Sequence, residues 1–187
     1  DWYDPGVGGH QVGDLNRGRI YRVATPETEY SIPAMDVSTA EGAVMALLNP
    51  NMDVRYQGYQ ALLKMGKDAE AELQELWKGE NPRHRAQALW LLTKLSDQPM
   101  GYAQEALNDK DPDIRVAGLR AVRQMKGDVL AVATQLKNDP SPQVRREVAL
   151  AIRGDRSPEA ANIWADLATQ YDGKDRKSIK ARDTFAH

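Results

Sequence analysis

Apolar and small residues recur at fixed distances from four arginines that stand 30 residues apart along the chain. These repeat arginines are Arg55, Arg85, Arg115 and Arg145. Seven residues after each of them comes an aliphatic residue: Leu62, Leu92, Val122 and Ile152. Three residues after each comes a residue that is small in most copies: Gly58, Ala88, Gly118 and Val148. Because offsets of three and seven residues lie on one face of an α-helix, the pattern predicts four amphipathic helices.

The 30-residue period divides residues 38–170 into repeated helical hairpins. We predict the first helices of these hairpins at 39–48, 68–78, 99–108 and 128–137. The second helices, which carry the repeat arginines, are predicted at 52–65, 82–95, 112–126 and 142–153. A fifth first helix is predicted at 158–170. A hairpin this short cannot bury its apolar face alone, so the units are expected to stack in line.

Stacked hairpins of this kind predict an all-α fold, a right-handed α-α superhelix of about four and a half hairpins. Two of the predicted helices begin with recognisable capping residues. Ser38 precedes Glu41 by three residues, which is the spacing of a capping box, and Ser157 is followed by Pro158. We therefore expect Ser38 and Ser157 to cap the first and last helices.

The two ends of the chain differ from the repeats. Residues 1–37 contain Gly and Pro turn signals and an alternating stretch at 18–23 that favours a short strand. Residues 171–187 are polar. We interpret 1–37 as an extended remnant of a preceding domain with its linker, 38–170 as the solenoid, and 171–187 as a C-terminal tail. The chain as a whole is interpreted as a piece of a longer polypeptide.

Charge and composition exclude several classes of function. The formal net charge is −2, and residues 38–170 carry 17 basic and 18 acidic groups, a balance of −1. A nonspecific nucleic-acid binder is expected to be basic, so we expect no nucleic-acid partner. The chain has no cysteine, which excludes disulfides, thiolate zinc ligands and covalent c-type haem attachment within it. No apolar stretch approaches the roughly 18 residues that span a membrane, so no membrane span is predicted.

Four turns that precede the second helices share a motif. The stretch Asp109–Arg115 (DKDPDIR) resembles the HEAT repeat in its short form, and Asn138–Arg145 (NDPSPQVR) resembles it nearly as well. The stretches Asn51–Arg55 and Asn81–Arg85 are looser copies. The resemblance implies a HEAT-type or armadillo-type α-solenoid, which is generally a scaffold for protein–protein interaction without catalytic activity of its own.

A narrower resemblance covers most of the chain. Asp1–His10 (DWYDPGVGGH), Gly13–Leu15 and Gly18–Val23 (GRIYRV) resemble the end of the β-propeller of a membrane-bound dehydrogenase family related to sugar dehydrogenases. In that family HEAT repeats and then a c-type cytochrome domain follow the propeller, and Gln170–Arg176 (QYDGKDR) resembles the segment after the repeats.

This resemblance implies that the parent protein is an exported, periplasmic bacterial oxidoreductase and that residues 1–37 are what remains of its propeller. The expected partners of the piece are then other domains of the parent or another protein. No cofactor is expected in the piece itself.

The repeat arginines have two interpretations. In the first they form a structural ladder, in which each guanidinium donates to carboxylates and carbonyls of the adjoining turn. Asp53 and Asp113, two residues before their arginines, are the candidate carboxylates. In the second interpretation the arginines are a row of cations that bind a ligand. We favour the ladder.

The exposed side of the second helices provides a second group of candidates, most of them five or eight residues after a repeat arginine. We call this group the second-helix face: Trp90, Arg120, Arg123, Arg146 and Arg153. Trp and Arg are over-represented among the residues that contribute most to protein interfaces. We therefore hypothesise that this face docks an acidic protein surface. The alternative is a solvated face with one half-buried tryptophan.

The sequence contains no recognisable catalytic or metal-binding constellation, and we expect no enzymatic activity. Its three histidines, His10, His84 and His187, are scattered and have no cysteine beside them. Two other functions stay open as alternatives. A HEAT-like DNA glycosylase would use residues of the second-helix face, although the charge balance argues against it. A lyase-like protein with the same short repeat would bind a tetrapyrrole.

Overall fold

A computed structural model of the chain describes residues 23, 25–27, 29 and 35–170. The strand predicted at 18–23 lies outside the described residues except for Val23, as does most of the propeller remnant predicted at 1–37. The tail predicted at 171–187 lies wholly outside them. The chain divides into two compact units, Asp1–Ala34 and Met35–His187. The described residues of the first unit comprise a turn at 26–27 and positions in neither helix nor strand.

Residues 35–170 form helices joined by short turns, which confirms the predicted all-α solenoid. They form nine α-helices: α1 Ala40–Leu47, α2 Met52–Met65, α3 Glu70–Lys78, α4 Pro82–Leu95, α5 Pro99–Leu107, α6 Pro112–Gln124, α7 Val129–Leu136, α8 Pro142–Ala151 and α9 Pro158–Thr169. A short 3-10 helix, Gly66–Ala69, joins α2 to α3. The bounds agree with the predicted hairpins to within about two residues, as expected for helices whose ends carry strong sequence signals.

Side chains at the N-termini explain where most helices begin. Asn51, Asn81 and Asp111 accept a hydrogen bond from a backbone N–H of the first turn of α2, α4 and α6. The oxygen of Ser157 likewise accepts from the N–H of Ala160, which confirms its prediction as a cap. Proline follows the cap at the start of α4, α5, α6, α8 and α9, where its missing N–H costs nothing.

The cap predicted for the first helix is wrong by one residue. Thr39, and not Ser38, accepts a hydrogen bond from the N–H of Gly42 at the start of α1. Ser38 instead donates through both its backbone N–H and its hydroxyl to Asp36 Oδ1, at 2.9 and 2.6 Å. Ser38, which the sequence spacing favoured as the cap, is therefore bonded to Asp36 in a local turn and does not cap α1.

The apolar faces of the helices meet in two hydrophobic clusters. Consecutive helices pair as the hairpins α1–α2, α3–α4, α5–α6 and α7–α8, and the second helices contact one another in the order α2, α4, α6, α8. The aliphatic residues seven positions after the repeat arginines are all buried, as predicted: Leu62, Leu92, Val122 and Ile152. Burial of such side chains stabilises by about 1.5–3 kcal/mol each, so these contacts hold neighbouring helices together.

Glycine is required where the two helices of a hairpin approach most closely. A Cβ atom on Gly58 of α2 would lie 2.6 Å from the carbonyl oxygen of Ala43 and 2.6 Å from the nitrogen of Leu47, both in α1. A Cβ on Gly118 of α6 would lie 3.0 Å from the nitrogen of Leu107 in α5. The small residues three positions after the repeat arginines therefore bring the helices of one hairpin together.

Candidate functional site

The best-connected repeat arginine is Arg115, at the start of α6. Its Nε and Nη2 donate to Asp139 Oδ2 and Oδ1 at 2.7 and 2.8 Å, and its Nη1 donates to the carbonyls of Asp109 and Lys110 at 2.8 and 3.1 Å. The side chains of Arg115 and Asp139 are only 11% and 5% exposed. Hydrogen bonding with Asp139 raises the pKa of Arg115 above its ordinary value. Because Asp139 lies in the turn before α8, this pair fastens one hairpin to the next.

Arg85 makes the equivalent connection one hairpin earlier. Its guanidinium forms an ion pair with Asp109, its Nε donates to the carbonyl of Trp77 at 3.0 Å, and it lies 4.7 Å from the centroid of the Trp77 ring. Burial raises the pKa of Asp109, but hydrogen bonds from Arg85 and from the N–H of Asp111 outweigh it and leave that pKa below its ordinary value. Arg85 thus connects α3, α4 and the turn before α6.

The terminal repeat arginines lack this connection. Arg145 donates Nη1 to the carbonyls of Asp139 and Pro140 at 2.7 and 3.2 Å, and no carboxylate within 35–170 reaches its guanidinium. Arg55 forms no side-chain hydrogen bond or ion pair within the same range. The carboxylates of the two inner pairs come 24 residues after their arginines, where Arg55 and Arg145 have Gly79 and Thr169.

The carboxylates predicted for the ladder are wrong. Asp113 accepts a hydrogen bond from Gln143 Nε2 rather than from Arg115, and Asp53 makes no ion pair with Arg55. Asp113 thus contacts the next hairpin through Gln143 of α8, while the carboxylate that reaches Arg115 comes from the turn before α8. The partners Asp109 and Asp139 stand six residues before the following repeat arginine, and that shared position was the signal that could have identified them.

On the second-helix face, four arginines are exposed along α6 and α8, which pack against each other. We call them the face arginines: Arg120, Arg123, Arg146 and Arg153. Trp90 of α4, the fifth predicted member, is partly buried and packs against the hydrophobic cluster of α5–α9. The exposed surface of this face is therefore mainly cationic, because the tryptophan ring is partly buried against the core.

A carboxylate that the sequence pattern did not indicate lies among the face arginines. Glu147 of α8 is 9% exposed and accepts from Arg120 Nε and Nη2 through its two oxygens, each at 2.8 Å. The hydrogen bond with Glu147 raises the pKa of Arg120, whose own side chain stays 56% exposed. Glu147 lies between the buried Val148 and the exposed Arg146, and a glutamate beside exposed charge gave no sequence signal of burial.

An open pocket of about 270 Å³ lies at this pair, between α6 and α8. It is lined by Val116, Arg120, Gln143, Arg146 and Glu147. Arg146 forms no side-chain hydrogen bond or ion pair with any residue of 35–170. The pocket thus combines a guanidinium held in place by Glu147 with a second guanidinium whose donors are available.

The other candidate groups do not assemble into a reactive site within the described residues. Partly buried His84 lies in the first turn of α4, while His10 and His187 lie outside the described residues. No group of three histidines or carboxylates in the described ranges has a metal-binding arrangement. None of the nine helices is long and apolar enough to cross a membrane.

Comparison with known families identifies part of the chain. The family model described as HEAT repeats matches residues 70–153, which extend from the first residue of α3 to just past the end of α8. No curated protein and no solved structure matches the chain significantly. Residues 70–153 are therefore similar to HEAT repeats, which are generally scaffold or protein-interaction modules.

Proposed function

We propose that the solenoid is a non-catalytic scaffold whose second-helix face docks a protein partner. The observation that carries this proposal is the imbalance of charge on α6 and α8. Four exposed arginines share the face, and the one carboxylate placed among them, Glu147, is buried against Arg120. Surface cations without partners attract a surface of opposite charge and direct how it docks.

The HEAT-repeat region supports the same function. In a stacked array each unit contacts only its neighbours, so one side of every second helix stays available along the array. The repeat arginines Arg85 and Arg115 hold the hairpins in register. A fixed register keeps the face arginines at constant separations, which lowers the entropy that docking would otherwise cost.

We further propose that the partner is another domain of an exported dehydrogenase with a cytochrome c domain. This proposal rests on the resemblance of Asp1–His10, Gly18–Val23 and Gln170–Arg176 to that family. The test is the genomic reading frame around the segment. A propeller encoded upstream and a Cys-x-x-Cys-His motif encoded downstream would support it, and a frame without either would contradict it.

A site-specific photo-crosslinking experiment tests the docking function. A photoreactive amino acid replaces Arg123 on α6, and a matched variant carries it at Gln104, an exposed residue on the first helix α5. In the native host we expect adducts with one defined protein or domain from position 123 and few from position 104. Equal labelling from both positions, or adducts from neither, would contradict docking through the second-helix face.

A further inference from the structure

Two guanidinium groups in the pocket between α6 and α8 have N–H donors that the fold does not use. Arg120 donates to Glu147 through Nε and Nη2, and its Nη1 makes no hydrogen bond with a residue of 35–170. Arg146 has all five of its donors available within the same range. Both residues line the pocket. An incoming acceptor would therefore meet donors from two helices.

Glu147 holds Arg120 in position before any ligand arrives. Both oxygens of the buried carboxylate bind one edge of the guanidinium, and such a two-point contact fixes the plane of the group. A donor fixed in advance loses less conformational entropy when it binds. The pocket thus has one cation held by a carboxylate, Arg120, and one cation without a polar partner in 35–170, Arg146.

The charge around the pocket favours an anion. The pocket itself contains two arginines and one glutamate, and Arg123 and Arg153 add two positive charges toward the C-terminal ends of α6 and α8. Toward the N-terminal ends of the two helices, Asp113 in the first turn of α6 accepts a hydrogen bond from Nε2 of Gln143, which lines the pocket. The attraction is therefore strongest toward the C-terminal side of the pocket.

The size and lining of the pocket fit one carboxylate side chain better than a larger ligand. Its volume of about 270 Å³ is below the range of most small-molecule sites. Val116 provides an apolar contact for the methylene groups of a glutamate or aspartate, and planar guanidinium groups match the two oxygens of a carboxylate. A nucleic acid is disfavoured because residues 38–170 carry a balance of −1 even with this local cluster included.

We propose that this pocket binds a side-chain carboxylate of an acidic segment in the protein partner, with Arg146 as the main contact and Arg120 Nη1 as the second. The proposal rests on the docking function and names the chemistry of the docked surface. Arg123 and Arg153 then attract the acidic residues that flank the bound one. Glu147 is a positioning residue that orients Arg120 and does not contact the partner.

The test uses a fluorescent peptide of alternating glutamate and serine as the probe, and the same peptide with glutamine in place of glutamate as its control. We expect the wild-type chain to bind the acidic peptide and not the glutamine peptide. Arg146→Gln is expected to weaken binding about tenfold, the effect of one lost charge-assisted contact. The matched variant Arg83→Gln removes an exposed arginine of α4 outside the pocket and is expected to leave binding within about twofold.

A measurement on the wild-type chain makes the test independent of variant folding. During titration with the acidic peptide, the NMR resonances of the Nε–H groups of Arg146 and Arg120 are expected to shift, while that of Arg115 stays constant. The proposal is overturned if the glutamine peptide binds equally well, if Arg83→Gln weakens binding as much as Arg146→Gln, or if duplex DNA binds more tightly than the acidic peptide. Adducts from position 123 together with no peptide binding would leave docking intact and reject only the carboxylate pocket.

Discussion

Arg145 and Arg146 are neighbours in the sequence, yet the structure gives them opposite environments. Arg145 turns toward the preceding loop and donates to the carbonyls of Asp139 and Pro140. Arg146 is exposed and forms no polar side-chain contact with residues 35–170. Consecutive residues on an α-helix point about 100° apart, so one residue faces the adjoining turn and the next faces solvent. Neighbouring positions on this helix therefore place one arginine against the fold and the next in solvent.

The same contrast separates the two groups of arginines along the solenoid. The inner repeat arginines, Arg85 and Arg115, are nearly buried against carboxylates of the following turn. Three of the four face arginines, Arg123, Arg146 and Arg153, have no polar partner within the described residues. Substitutions in the first group are therefore expected to change stability, and those in the second to change binding.

The largest expected effect comes from Arg115→Ala. This change leaves Asp139 buried without its ion-pair partner, and loss of one partner from a buried pair costs about 3 kcal/mol or more. We expect a loss of that size in the free energy of unfolding measured with urea. Arg55→Ala is the matched control, since Arg55 has no such partner in 35–170, and its loss should be within about 0.5 kcal/mol. Equal losses in both variants would contradict the distinction between inner and terminal repeat arginines.

Asp109→Asn is expected to cost about 2 kcal/mol at neutral pH, because Arg85 loses a charged hydrogen-bond acceptor. The pKa of Asp109 is lower in the folded chain than its ordinary value of 3.8. Its ionised form therefore stabilises the fold above pH 3.8, and this contribution disappears as the pH falls through the lowered folded pKa. Urea titrations between neutral pH and pH 2 should show the wild type losing more stability than the variant. Parallel pH profiles for the two proteins would refute the role of the Arg85–Asp109 pair.

Arg145→Ala is expected to have a smaller effect than Arg115→Ala. It removes two hydrogen bonds to backbone carbonyls but leaves Asp139 paired with Arg115, so the cost should be about 1 kcal/mol. The same urea titration measures it. A loss as large as that of Arg115→Ala would mean that an additional partner binds the free edge of Arg145.

Arg123→Ala and Arg153→Ala are expected to have the smallest effect on stability, within about 0.5 kcal/mol. Both residues are exposed and have no polar partner in the described ranges. Their melting temperatures should match that of the wild type. Their affinity for the acidic peptide should be lower, because each variant loses a surface charge whose attraction added salt also weakens in the wild type. A clear drop in melting temperature for either variant would show that the substituted arginine stabilises the fold, as the inner repeat arginines do.

Much of the fold could be predicted because its signals are local. The prolines at 82, 112, 142 and 158 and the caps beside them define helix starts within a few neighbouring residues. The aliphatic residues at 62, 92, 122 and 152 reveal the buried face through the helical period alone. Ser38 is the exception. It has the spacing of a capping residue, but its hydroxyl donates to Asp36 in an equally local turn and so does not cap the helix.

The candidate site was predictable only in part. The helical period predicted that Arg123, Arg146 and Arg153 are exposed, but it does not determine exposure alone. Thr93 and Val116 occupy the corresponding positions of other units and are buried. The pairing of Arg120 with Glu147 spans 27 residues and joins two hairpins, and no property of either residue alone indicates it. The 270 Å³ pocket exists only because α6 and α8 pack side by side.

The sequence by itself determined that this protein consists of helical hairpins in a fixed register, because periodicity, caps and prolines act over one or two helical turns. The tertiary structure alone decided which carboxylate each arginine meets. Stacking places the turn of the next hairpin within 3 Å of Arg115 and leaves Arg146 facing solvent. Whether a charge is neutralised depends on distances between residues about 24 to 27 positions apart, and those distances are set by packing.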